Sequence, residues 1–176
     1  MQPTNPLDVT EIPLSKTKMT LALAGSALFV AAGVWFVSNP YQFHRNHILI
    51  MAIGIAAIVV FGVVALYIVN KLFDTQAGFV IDNDGFTDNS SMLSVGFVPW
   101  EDVLGLNVVD VNRQKIIVVV VNDADGYIRR QPNALSRRIA SLNNRMYGSP
   151  VAVSANSLRI SFDELYKLIQ EKRPNL

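Results

Sequence analysis

The sequence contains no cysteine, which excludes disulfide frameworks, thiolate metal sites and cysteine nucleophiles. Charge is scarce as well: 16% of the 176 residues are Asp, Glu, Lys or Arg, against roughly 25% in an ordinary soluble domain. Neither sign dominates. Fifteen basic and fourteen acidic residues leave a formal charge of +1, so bulk attraction for nucleic acid is not expected. Serine-hydrolase elbow, zincin, Walker and Rossmann patterns are all missing. Catalysis and a cofactor are therefore not expected.

The missing charges are missing in blocks. Met19 to Val37 is nineteen uncharged residues and Ile48 to Val69 is twenty-two. As helices they would measure about 28 and 33 Å, close to a hydrocarbon core of ~30 Å. Every backbone donor inside lipid must be satisfied within the segment, so the two runs predict a transmembrane helical hairpin. The connection at 38–47 is polar and contains Pro40, which stops the first helix. A cleaved signal peptide fits less well, because the first run is long, follows eighteen residues and is not followed by an A-x-A site.

Lys16, Lys18 and Lys71 flank the spans, while the loop holds only Arg45. The positive-inside rule then predicts both termini in the cytoplasm and residues 38–47 outside. The spans contain no Asp, Glu, Lys, Arg or His, which argues against an ion or proton pathway. Their small residues, Gly25, Gly33, Gly54 and Gly62 among them, permit close helix contact. That contact is expected within the hairpin first, and otherwise with a second copy or a membrane-protein partner.

After residue 75 the pattern changes to short β-branched runs. Gly78–Ile81 and Gly85–Asn89 flank an Asn83-Asp84-Gly85 turn, which predicts a β-hairpin. Ser94–Pro99, Leu104–Val111, Lys115–Val121, Val151–Val153 and Leu158–Ile160 read as further strands, with Asn112-Arg113 as a connector. Close spacing with short turns predicts an antiparallel curled sheet or β-barrel. Ser161 and Glu164 make a capping box that opens a terminal helix, and Pro174 closes it.

Asn133–Tyr147 reads as an inserted helix with Leu135, Ile139, Leu142 and Met146 in one stripe. The run Ile116–Val121 is apolar at both parities, so that stripe is expected to cover its second face. Arg130, Arg137, Arg138 and Arg145 would cluster away from the stripe if the helix starts early enough to include Arg130. Residues 129–145 hold five arginines and no acid. These four are the candidate contacts for anionic lipid headgroups or a partner, since each base near an anionic leaflet contributes ~1 kcal/mol.

Other constellations have plainer explanations. His44 and His47 are too few for a metal site. Asp82, Asp84 and Asp88 surround a hairpin turn and lack the spacing of a calcium loop. Adjacent Glu101 and Asp102 would point to opposite faces of an extended segment, and Trp100 is expected to anchor the core.

The turn Pro99-Trp100-Glu101-Asp102-Val103 entering a strand is familiar from bacterial pleckstrin-homology-like modules. The order of parts resembles a family of small, uncharacterised bacterial membrane proteins with a two-helix hairpin ahead of a PH-like domain. Similar stretches are Lys71-Leu72-Phe73, Gly78–Asp88, Val95–Val103, Tyr147-Gly148-Ser149-Pro150 and Asn156–Ile169, within residues 16–170. The expected architecture is thus α+β. It has an N-terminal segment (1–18), transmembrane helices at 19–37 and 48–69, and a cytoplasmic PH-like domain at 75–176. The resemblance implies a bacterial inner-membrane location and no particular activity.

Overall fold

The computed structural model describes residues 9–43, 46–91, 94–111 and 113–172. His44, Arg45, Asn112 and Pro174, singled out above, lie outside the described residues. The chain forms two units: a helical hairpin, and an α+β unit built from the segments on both sides of it.

In the hairpin, α1 (Lys16–Ser38) and α2 (His47–Leu72) each exceed the predicted apolar run by a few residues. Both are long and apolar enough to cross a membrane. Leu21, Leu28, Phe29, Val60 and Leu66 are exposed on them, which distinguishes these helices from the buried core helix of a soluble protein. A short 3-10 turn at Pro40–Gln42 follows α1, since Pro40 lacks the N–H that would continue the ladder. The Asn46 side chain accepts from the Ile48 amide at 3.0 Å and so starts α2. The two helices pack closely at Gly33 and Gly54, and the Phe29 and Phe61 rings stack at 4.2 Å.

The α+β unit contains two antiparallel sheets. The first comprises β1 (Thr10–Ile12), β2 (Phe79–Ile81), β3 (Gly85–Asp88) and β4 (Gly96–Pro99), in that order. The second comprises β5 (Val103–Val111), β6 (Gln114–Val121) and β7 (Val151–Val153). Of the expected curled sheet or barrel, the closed barrel is not formed. A 3-10 turn at Trp100–Asp102 redirects the chain after Pro99, so β4 and β5 belong to different sheets. Leu158 makes only an isolated bridge to Leu14, so the strand expected at 158–160 is absent.

The N-terminal segment adds a strand that no local pattern in the sequence marks. Thr10, Glu11 and Ile12 pair with Ile81, Val80 and Phe79, which makes the segment before α1 the edge strand of the first sheet. Ile12 is buried there.

Alternation places Phe79, Ile81, Phe86 and Val98 in a shared core with Ile117 and Val119 of the second sheet. Trp100 joins this core, its indole Nε1 donating to the Asp82 carbonyl at 2.9 Å. Helix α5 (Phe162–Lys172) closes it with Leu165 and Ile169. Its capping box forms as expected: Ser161 N–H donates to Glu164 Oε2 at 3.0 Å, and Glu164 N–H to Ser161 Oγ at 3.3 Å. Helices α3 (Ala124–Arg129) and α4 (Ala134–Tyr147) lie between β6 and β7 in the chain.

Candidate functional site

Helix α4 is delimited by its own sequence. Asn133 is the N-cap, its side chain accepting from the Ser136 amide at 2.8 Å. Gly148 ends the helix in the left-handed conformation, φ 81°, where a side chain would be strained. Directly after it, buried Ser149 donates through Oγ to the Val119 carbonyl at 2.5 Å, which fixes the helix end to β6.

The buried side chains of α4 are Ser136 and Ala140, and the helix lies against α3 and β7. Leu135, Leu142 and Met146 are 58%, 51% and 60% exposed, and Ile139, the fourth member of the expected stripe, is half-buried. The expectation that the apolar stripe covers the sheet is therefore overturned. Small side chains let α4 come close to the sheet, and the second face of β6, where Val118 is fully buried, does not need the larger ones. At 3.6 residues per turn the stripe lies about 110° around the helix from the packed face.

Arg138 and Arg145 occupy the next sector, about 80° beyond the stripe. With Ser141 and Leu142 they line one shallow depression, so cations and apolar side chains share a surface there. Arg137 is exposed further round. Among the described residues, none of these three arginines makes an ion pair.

Arg130 stands apart from them. It is the C-cap of α3, where an Asp123 side chain opens the helix by accepting from the Gly126 amide at 2.8 Å. Its guanidinium lies 3.5 Å from the centroid of the Tyr127 ring and donates to the Phe97 carbonyl at 2.7 Å. The four arginines thus divide into three on α4 and one that ties α3 to β4.

Tyr127 is buried and donates its hydroxyl to Asp102 Oδ2 at 2.7 Å. Asn122 donates to the other Asp102 oxygen at 3.1 Å. Burial and then the Asp102 hydrogen bond push the Tyr127 hydroxyl up to about 12, against a smaller opposing effect of Arg130. This cluster was not legible in the sequence, because its members come from three segments and share no motif.

The other candidates have structural roles. Asp82 Oδ1 accepts from the Asp84 and Gly85 amides, both at 2.9 Å, which is how an Asx residue closes a turn. Asp88 accepts from the Ser90 amide at 2.8 Å. Glu101 is exposed while Asp102 is engaged with Tyr127. The His47 ring sits 5.2 Å from that of Tyr41. Comparison with family models, curated proteins and solved structures finds no match to this chain.

Proposed function

We propose that the chain is a non-enzymatic interaction module anchored in the bacterial cytoplasmic membrane. In it the helical hairpin spans the bilayer, and the α+β unit, of PH-like type, presents Arg138 and Arg145 to anionic headgroups or a partner, with Arg137 further round the helix. Arg130 serves the fold. Support comes above all from the β1–β2 pairing, which joins the strand before α1 to the strand after α2. Two spans would bring those strands out on the same side, and the sheet needs them there. Three residues link β1 to α1 and six link α2 to β2, so the unit is tethered twice by short segments.

The absence of cysteine makes the test clean. Single cysteines at Glu11, Tyr41 and Glu171 of the full chain are treated with a membrane-impermeant thiol reagent on intact cells. Tyr41→Cys is expected to react at once, and the other two only after permeabilisation, with the chain resisting carbonate extraction. Extraction by carbonate, or reaction of Glu11→Cys and Glu171→Cys from opposite sides, would overturn the proposal.

A second function, as an accessory subunit of a membrane transport or envelope-stress complex, draws on Gly25 and Gly62. Among the described residues, no atom outside their own helix stands within 4 Å of a Cβ built on either. Their faces are open to another helix. Loss of activity in Gly25→Leu and Gly62→Leu, with the α+β unit intact, would favour this function over the first.

A further inference from the structure

We infer that α4 docks on the anionic surface of the bilayer that holds the hairpin, with Leu135, Leu142 and Met146 inserted at the headgroup boundary. This rests on the membrane-anchored function proposed above and adds the element, the face and the occupant. Three observations converge on it. Three of the four apolar side chains in the strip of α4, Leu135, Leu142 and Met146, are turned to solvent, although an ordinary surface helix turns such a strip inward. Among the described residues, Arg138 and Arg145 border that strip without acidic partners. From residue 126 to residue 162 the sequence contains six arginines and no acid.

Apolar residues flanked by arginines on one exposed side are the composition of helices that lie in a membrane interface. The arginine stems extend along the apolar strip while their guanidinium groups reach phosphate. A helix of fourteen residues is about 21 Å long, which is enough for all three apolar side chains to meet one flat surface. An acidic protein groove would satisfy the arginines equally. The lipid surface is favoured because the hairpin keeps it within a few residues of both tethers, at high effective concentration.

The test uses the full chain reconstituted in vesicles, with single cysteines at Leu142 and Met146 carrying an environment-sensitive fluorophore. A Lys167→Cys control reports an exposed position on α5. In vesicles containing phosphatidylglycerol, labels at 142 and 146 are expected to shift to the blue and to be quenched by spin-labelled lipid, unlike the label at 167. Exchanging both Arg138 and Arg145 for Glu should lower the docked-to-free ratio at least about thirty-fold, from ~1 kcal/mol per base. The same label in purely neutral vesicles should resemble that variant.

Labels at 142 and 146 that stay water-like in a carbonate-resistant chain would overturn docking and leave the anchor standing. Failure of the chain to resist carbonate would remove both. Labels that are dry in detergent and in neutral vesicles alike, with cross-linking that depends on protein concentration, would mean that a second copy covers the strip. That result also overturns docking on lipid.

Discussion

A Cβ built on Gly33 would stand 2.8 Å from the Gly54 carbonyl oxygen, and one on Gly54 would stand 2.7 Å from that of Gly33. The obstacle on each side is backbone, which cannot rotate away. Gly33→Ala or Gly54→Ala is therefore expected to push α1 and α2 apart and destabilise the hairpin by about 1–3 kcal/mol, the usual cost of overpacking. Gly25→Ala and Gly62→Ala, with open space around them, should change little. Thermal unfolding in detergent separates the two pairs, and equal effects at all four positions would contradict the assigned contact.

The Tyr127 hydroxyl supplies a pH signature. Its folded value is raised to about 12 from an ordinary 10, so folding favours the protonated form. The associated stability is fully present below pH 10 and lost as pH rises from 10 towards 12. Tyr127→Phe should abolish that part of the decline while leaving Asp102 short of a donor, at a cost of about 1–3 kcal/mol near neutral pH. The difference between the two chains in urea unfolding, followed from pH 8 to 12, is the measurement. A constant difference would mean that folding does not raise the hydroxyl above its ordinary value.

β1 makes a third point accessible to experiment. Residues 76–172 alone lack the strand that covers the β2 edge and the buried Ile12 side chain. A chain starting at residue 76 is expected to be less stable and prone to associate through that edge. Replacing residues 16–75 by a short flexible linker, with residues 9–15 retained, should restore a monomer with sharp thermal unfolding. Ile12→Ala in that form should cost about 2 kcal/mol.

Ser161 holds Glu164 below the ordinary carboxylate value by hydrogen bonds from its side chain and its backbone amide. The contribution to stability is present above the unfolded value and fades as pH falls through the folded one. Ser161→Ala removes one of these bonds, so NMR titration of Glu164 should show its midpoint rise towards the ordinary value. An unchanged midpoint would place the control in the helix dipole instead.

The long uncharged runs, the Asp82–Gly85 turn and the Ser161–Glu164 cap were legible because each is a local pattern with one dominant physical cause. Leu135, Leu142 and Met146 misled for an instructive reason. Helical periodicity reports which residues share a face, but it does not say which face the protein covers. Ser136 and Ala140 give the closer approach to the sheet, and nothing in a single sequence ranks close approach above apolar area. Thr10–Ile12 was invisible because three residues carry no period of their own. The Asp102–Tyr127 bond joins positions 25 residues apart and needed the fold to reveal it.

The place of β1 in the chain has a consequence for the order of events during synthesis. Thr10 leaves the ribosome first among the described strands, yet its partner Ile81 follows only after both apolar helices have been made. The first sheet cannot close early, however favourable its local turns, since loop closure over the whole hairpin must come first. Completion of the fold thus becomes a record that both helices have been made, and a chain cut short within them is left with an unpaired strand for quality control to find.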